Sequence, residues 1–203
     1  MAVFEPPMSM AQFLEASRGT WLNRRSIHHL DHQDDEAADS NLVIEPFDAS
    51  DPVVQKVCDA LLVDASRSQG GGRFWWESNL KQSSRNDDSA AVIVDVPQDD
   101  NPRRGFLLRD VGYVEKKAVI STYSFADDGV LTITTRYDTN VGTERCWFVT
   151  DQVRMRVSSV QCLNGVSMTT YCTELRCPTD DDIKAMASQA RQRADSTVLE
   201  PNS

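Results

Sequence analysis

The sequence predicts an all-β chain, a ten-stranded antiparallel up-and-down barrel. It adds a helix at the N-terminus, a short helix near residues 52–63 and a helix at the C-terminus. Three observations carry that prediction. From Arg73 to Arg176 the chain breaks into short runs rich in β-branched and aromatic residues. Turn-forming clusters separate them: Asn86-Asp87-Asp88, Asp99 to Pro102, Asp110 to Gly112, Asp127-Asp128-Gly129, Asn140 to Gly142, Asp151 and Asn164-Gly165. With so few helical interruptions, consecutive strands pair as hairpins. Ten such strands rarely stay an open twisted sheet, so closure follows.

Taken in order, Ser9 caps the first helix, with Gln12 as its capping-box partner and Phe13 and Leu14 on the apolar side. That helix ends near Gly19. TWLNRRSIHHL follows as the first strand, around Trp21, Ile27 and Leu30. DHQDDEAADS, residues 31–40, reads as an acidic loop, and Leu42 to Phe47 as a short strand centred on Ile44. Asp51-Pro52 starts a helix whose Val53, Val54, Val57, Cys58, Leu61 and Leu62 recur at helical spacing over 52–63. Ser66 to Gly72 reads as a flexible joint. Its three glycines lack the strand–GK[ST]–helix context of a phosphate loop. Strands are then expected near 73–80, 90–96, 104–110, 113–123, 130–137, 143–149, 152–160 and 167–175. Asn164-Gly165 is the dipeptide that a tight hairpin favours. Pro178 closes the β region, Thr179 caps a C-terminal helix over DDDIKAMASQARQRA, and the tail from about residue 195 is flexible.

The 203 residues form one domain, large enough to bury a sizeable core. A net charge of −10 argues against a nucleic-acid partner, since phosphate binding needs a cationic surface. No run approaches the roughly eighteen apolar residues of a membrane helix. The N-terminus lacks a basic region followed by an apolar one, so a secretory signal is not expected and the cytoplasm is. The five cysteines follow no metal-ligand spacing and read as reduced structural thiols.

Chemistry concentrates in the last third. Arg154, Arg156 and Ser158 stand at a spacing of two, so they share one strand face while Val153, Met155 and Val157 take the other. Two guanidiniums about 6.5 Å apart suit a ligand with two carboxylates. The alternative is a solvated outer face with the three apolar residues in the core. Thr170, Cys172, Glu174 and Arg176 share a face of the last strand. Glu174 there could pair with either arginine or accept ligand N–H groups. Glu144 flanks the preceding strand. Arg24, Arg25, Ser26, His28 and His29 make the first strand polar, but adjacent histidines point to opposite faces and suit no shared metal. Trp75 and Trp76 likewise diverge, one to core and one to a cavity or the surface. No GxSxG, no Cys/His dyad and no hydrolytic carboxylate pair is present.

Several blocks, in order and spacing, resemble the S/U-type phycobiliprotein lyases of cyanobacteria, red algae and cryptophytes. They are FLEASRGTWLNRRSIHHL, Trp75-Trp76-Glu77, RGFLLRDVGYVEKKAVISTY, DGVLTITTRYDT, ERCWF, RMRVSS and YCTELR. The resemblance implies a lipocalin-like barrel holding an open-chain tetrapyrrole, a bilin such as phycocyanobilin or phycoerythrobilin, as substrate, with no tightly bound cofactor. It implies a lyase forming a carbon–sulfur bond to a cysteine of a phycocyanin, allophycocyanin or phycoerythrin subunit, in a cyanobacterial cytosol or an algal plastid. Arg154 and Arg156 would clamp the propionates with Ser158 assisting. Arg25, His28, Trp76 and Glu144 would line the pocket, and Glu174 would hold pyrrole nitrogens or assist proton transfer. A homodimer, or a heterodimer with a second lyase, is compatible with exposed apolar barrel faces. Two positions depart from the family pattern: Cys146 stands where an aromatic is usual, and Val157 where a threonine is. A non-catalytic bilin carrier, or a lipocalin-like binder of another anionic pigment or lipid, would use the same pocket.

Overall fold

A computed structural model describes residues 4–31, 34–77, 90–99, 101–112, 117–162 and 165–177. The chain runs α1 (Met10–Ser17), β1 (Gly19–His29), β2 (Asp34–Phe47), α2 (Pro52–Ala60), a 3-10 turn at Ala65–Arg67, then eight more strands. These are β3 (Gly70–Glu77), β4 (Ala90–Gln98), β5 (Asn101–Arg109), β6 (Val119–Phe125), β7 (Leu131–Arg136), β8 (Asn140–Thr150), β9 (Val153–Cys162) and β10 (Gly165–Arg176). Each strand pairs antiparallel with its sequence neighbours, and β1 pairs with β10 to close the barrel.

The alternation of apolar residues divides the strands between two cores. The inner core joins Trp21, Leu42, Ile93, Leu107, Leu131 and Phe148, all 8% exposed or less. Met10, Phe13 and Leu14 of α1 belong to the same cluster, so the helix plugs one end of the barrel. Ser9 starts it by accepting from the Gln12 amide. Trp21 fixes its far end by donating from Nε1 to the Ser17 carbonyl at 2.8 Å. Arg176 holds the last turn too, donating to the carbonyls of Ala16 and Arg18 at 2.7 Å each and standing over the Trp21 ring. The second core lies outside the barrel, where Val54, Val57 and Cys58 of α2 cover Val94, Val96 and Leu108. Both faces of β4 and β5 are therefore buried there, which explains the consecutive apolar residues Ala90 to Val94 and Phe106 to Leu108.

The structure corrects three expectations. Residues 34–40, expected within an acidic loop, form the first half of β2, paired residue for residue with β1 from His29↔Asp34 to Asn23↔Ser40. This half is largely solvated and needs no apolar alternation. Cross-strand pairs hold its charges: His28–Asp35 at 2.7 Å, His29–Glu36 at 3.0 Å and Arg24–Asp39 at 3.3 Å. The flexible joint is likewise ordered. Asp64 caps the 3-10 turn, and the glycines open β3. Gly71 is required there, because a Cβ would stand 2.0 Å from the Ile93 carbonyl oxygen and 2.7 Å from the Phe47 ring. Finally, α2 stops at Ala60. Leu62 has φ 57° and is 95% exposed, so the helical spacing of Leu61 and Leu62 continues past the helix itself. The strands expected near 73–80 and 113–123 fall partly outside the described residues, as does Asn164. The expected C-terminal helix and tail lie wholly outside them.

Candidate functional site

The strand register assembles the site. Glu174, Cys172 and Thr170 of β10 stand opposite Arg154, Arg156 and Ser158 of β9. On the other side Phe148, Cys146 and Glu144 of β8 face the same three residues. All nine side chains share one parity, and that parity points into the barrel. The arginine row is interior, and Val153, Met155 and Val157 take the outer face.

Depth separates the two arginines. Arg154 is 4% exposed and lies against the plug. Its Nη1 donates to Ser17 Oγ at 2.7 Å and its Nε to Glu174 Oε2 at 2.6 Å. The guanidinium sits 4.9 Å from the Trp21 ring centre and 5.9 Å from those of Phe13 and Phe148. Arg156, one step further from the plug, donates from Nε to Glu174 Oε1 at 3.2 Å and from Nη2 to Cys172 Sγ at 3.4 Å. Its Nη1 stands 3.5 Å from Glu144 Oε2. A charge ladder results: Ser17, Arg154, Glu174, Arg156, Glu144.

Electrostatics keep the Glu174–Arg156 centre of this ladder ionised. Burial alone would raise the Glu174 pKa, but the charges and hydrogen bonds of Arg154 and Arg156 hold it below the usual carboxylate range. Burial works against the Arg156 cation too, yet Glu174 and Glu144 keep it firmly protonated. The neighbouring Cys146 and Cys172 thiols are pushed up by burial and stay protonated. Cys146 donates its thiol to Glu144 Oε1 at 3.8 Å.

Above the ladder, at the end away from α1, a cavity of about 350 Å³ opens to solvent. Arg25, Trp76, Glu144, Arg156 and Ser158 line it, five of the residues singled out from the sequence. Two others stand beneath it: Arg154 and the wholly buried Glu174 reach it only through Arg156. The structure does not bring His28 to the cavity. Its parity is that of Leu22 and Arg24, opposite to the buried Trp21 and Asn23, so it faces outward. There Nδ1 meets Asp35 Oδ1 at 2.7 Å and the ring lies edge-on to Tyr171. Trp75 takes the face opposite Trp76 and is 8% exposed.

Thr170, placed from the sequence on the Glu174 face, also lines the wall, whereas sequence reasoning missed Arg109, Thr135, Tyr137 and Met168, which line it too. Arg109 had a readable signal. It is an arginine at the end of the apolar run FLLR, two residues beyond Leu107 and so on the same face, and only 4% exposed. No cluster of three or more His, Cys, Asp or Glu among the described residues could hold a metal ion.

A family model described as CpeS-like protein matches residues 9–177. The chain belongs to the CpeS-like family. Among curated relatives, a chromophore lyase CpcS/CpeS from Synechococcus sp. strain WH8020 is 64% identical over 96% of this chain and 97% of its own length. A phycocyanobilin lyase subunit CpcS from Picosynechococcus is 35% identical over 83% of this chain and 86% of its own. The solved S-type phycobiliprotein lyase CpeS from Guillardia theta superposes with a TM-score of 0.69 at 26% identity, over 85% of this chain and 95% of that one. This CpeS-like barrel therefore shares its closed ten-stranded architecture with an S-type lyase.

Proposed function

We propose that this CpeS-like protein is a chromophore lyase that binds a bilin and attaches it to a cysteine of a phycobiliprotein subunit. The observation that carries the reading is the cavity: one open barrel end where Arg25, Arg109 and Arg156 converge beside Glu144 and the flat wall of Trp76. Bilins are flat, carry two propionates on adjacent middle rings and present inward-facing pyrrole N–H groups. Guanidiniums pair with the propionates. Arg156, Arg25 and Ser158 fill that role, Trp76 stacks on the conjugated face, and Glu144 accepts from the pyrrole N–H groups. Arg154 and Glu174 are positioning residues on this reading. They fix Arg156 from below and do not line the open cavity.

The chemistry is addition of the acceptor's S–H across the exocyclic ethylidene bond of the terminal ring. The thiolate forms the C–S bond, the π pair moves into the ring system, and a proton returns to the tetrapyrrole, so no oxidant or reductant is consumed. The protein's own buried, protonated thiols leave the nucleophile to the acceptor. Its contribution is to fix one bilin conformation and present one face of the reacting carbon. Phycocyanobilin or phycoerythrobilin is the substrate, and a phycocyanin, allophycocyanin or phycoerythrin subunit in a cyanobacterial cytosol or an algal plastid is the acceptor.

Co-expression with a bilin source and an apo-subunit tests the reading. The expected product is a covalent, acid-stable, zinc-fluorescent adduct above the level formed without the protein. Tight bilin binding with no rise over that background would leave a carrier, and the lyase reading would fail.

A further inference from the structure

A second, smaller chamber lies between the open cavity and the α1 plug, with a volume of about 50 Å³. Met10, Phe13, Leu42, Phe74, Ile93 and Leu131 form its apolar walls. A single water needs only about 10–15 Å³ measured in this way, so the chamber is larger than a one-water void. Barrel interiors are otherwise packed to crystal density, with few such voids. Arg109, Glu144, Arg154 and Arg156 close the side of the chamber that meets the ladder, while the apolar walls opposite offer water few hydrogen bonds and favour a small hydrocarbon group.

The chamber's position gives it a use. It shares a partition with the open cavity, made by Trp76, Arg109, Ile133, Glu144 and Arg156. The weakest joint in the ladder is the Arg156–Glu144 contact at 3.5 Å, against 2.6 Å for Arg154–Glu174. A ligand that draws Glu144 onto its own N–H groups loosens that joint. Cys146 sits directly below it on β8, opposite Leu131 on β7 and Arg156 on β9, and lines the chamber but not the open cavity. Its side chain is small, and a larger one projecting along the same vector would fill the space.

Building on the bilin reading above, we propose that this chamber is an end-group subsite. It takes the short apolar substituent of the tetrapyrrole's non-reacting terminal ring, and Cys146 sets its depth. The orientation follows from the geometry. The carbon that accepts the thiol must stay at the open mouth, where an acceptor protein can reach it, so the opposite ring points inward. A polar collar above an apolar recess matches a molecule with charged middle rings and a hydrocarbon end. Cys146 is then a specificity-determining residue, which discriminates bilins by the size and tilt of that end ring.

Two readouts on the full chain test this. The first uses benzene without any bilin. Benzene should raise the melting temperature of the wild type, raise it more in Cys146→Ala, and not raise it in Cys146→Phe or in Leu42→Phe, which fills the chamber from the far wall. The second uses phycocyanobilin and phycoerythrobilin separately. Both Phe variants should weaken binding at least tenfold for one bilin, change their relative affinities and shift the bound absorption band. A wild type insensitive to benzene would overturn the subsite, whatever the bilins do. So would Phe variants that bind both bilins with wild-type affinity and spectrum. A wild type that responds to benzene but binds neither bilin would instead sink the function proposed above, and with it the end-group assignment. Benzene on the wild type and Cys146→Ala needs neither Phe variant to fold.

Discussion

Replacing Glu174 with glutamine should cost this protein a large part of its stability at neutral pH. The side chain is wholly buried and holds two guanidiniums, Arg154 at 2.6 Å and Arg156 at 3.2 Å. Glutamine keeps the shape and one acceptor but removes the charge. Breaking a buried pair from one side typically costs about 3–5 kcal/mol, because the remaining charge is left uncompensated. Arg156 retains Glu144 and Arg154 retains Ser17, so the lower end, about 3 kcal/mol, is expected. For a chain of this size that is a fall of roughly 6–12 °C in melting temperature. The pH dependence supplies a control. The folded-state pKa of Glu174 is depressed, so the unfolded chain binds the proton more readily. Its contribution is therefore present above the ordinary carboxylate pKa and lost as pH falls through the lower folded value. Urea unfolding followed by tryptophan fluorescence should show a wild-type advantage at pH 7 that shrinks in acid. Equal stability of the two proteins at pH 7 would refute the buried ladder.

Other outcomes follow from the same geometry. Asp95 is 3% exposed and its Oδ1 has no hydrogen-bond partner. Burial pushes its pKa up from 3.8 to about 6, so the folded state holds the proton longer and stability falls as pH rises across that window. Asp95→Asn should stabilise the protein by up to about 3 kcal/mol at pH 8 and by little near pH 4, as read from paired urea curves. Arg156→Ala should weaken bilin binding tenfold or more in an absorbance titration, whereas His28→Ala, altered on the outer face, should bind as the wild type does. Loss of binding in His28→Ala would mean that β1 presents its other face to the cavity.

The β content was legible because most strands here are half-buried and alternate accordingly. The barrel's closure followed from their number. The first half of β2 was not legible. Asp34 to Asp39 carry no apolar period, and only their pairing with Arg24 to His29 of β1 makes them a strand. The glycines of β3 looked like a joint for a similar reason, since the need for Gly71 lies in the approach of Phe47 and Ile93 from other strands. At the site, period two identified the arginine face but not its depth. That depends on α1 entering the barrel and taking Arg154 through Ser17. The misplacement of His28 was avoidable. Arg25 and His28 are an odd number of residues apart, so one strand cannot aim both into one cavity. Glu174 was readable as an arginine partner, but its bond to both arginines at once needed the register of β10 on β9.

The most direct measurement is single-turnover transfer. The purified protein is loaded with one equivalent of bilin, mixed with an apo-phycobiliprotein subunit, and the acid-denatured product is followed over time. Transfer should give a covalent adduct on the acceptor cysteine faster than free bilin does, and Arg156→Ala should lose that advantage. Adduct formation at the same rate with and without the protein would contradict a catalytic role for the cavity.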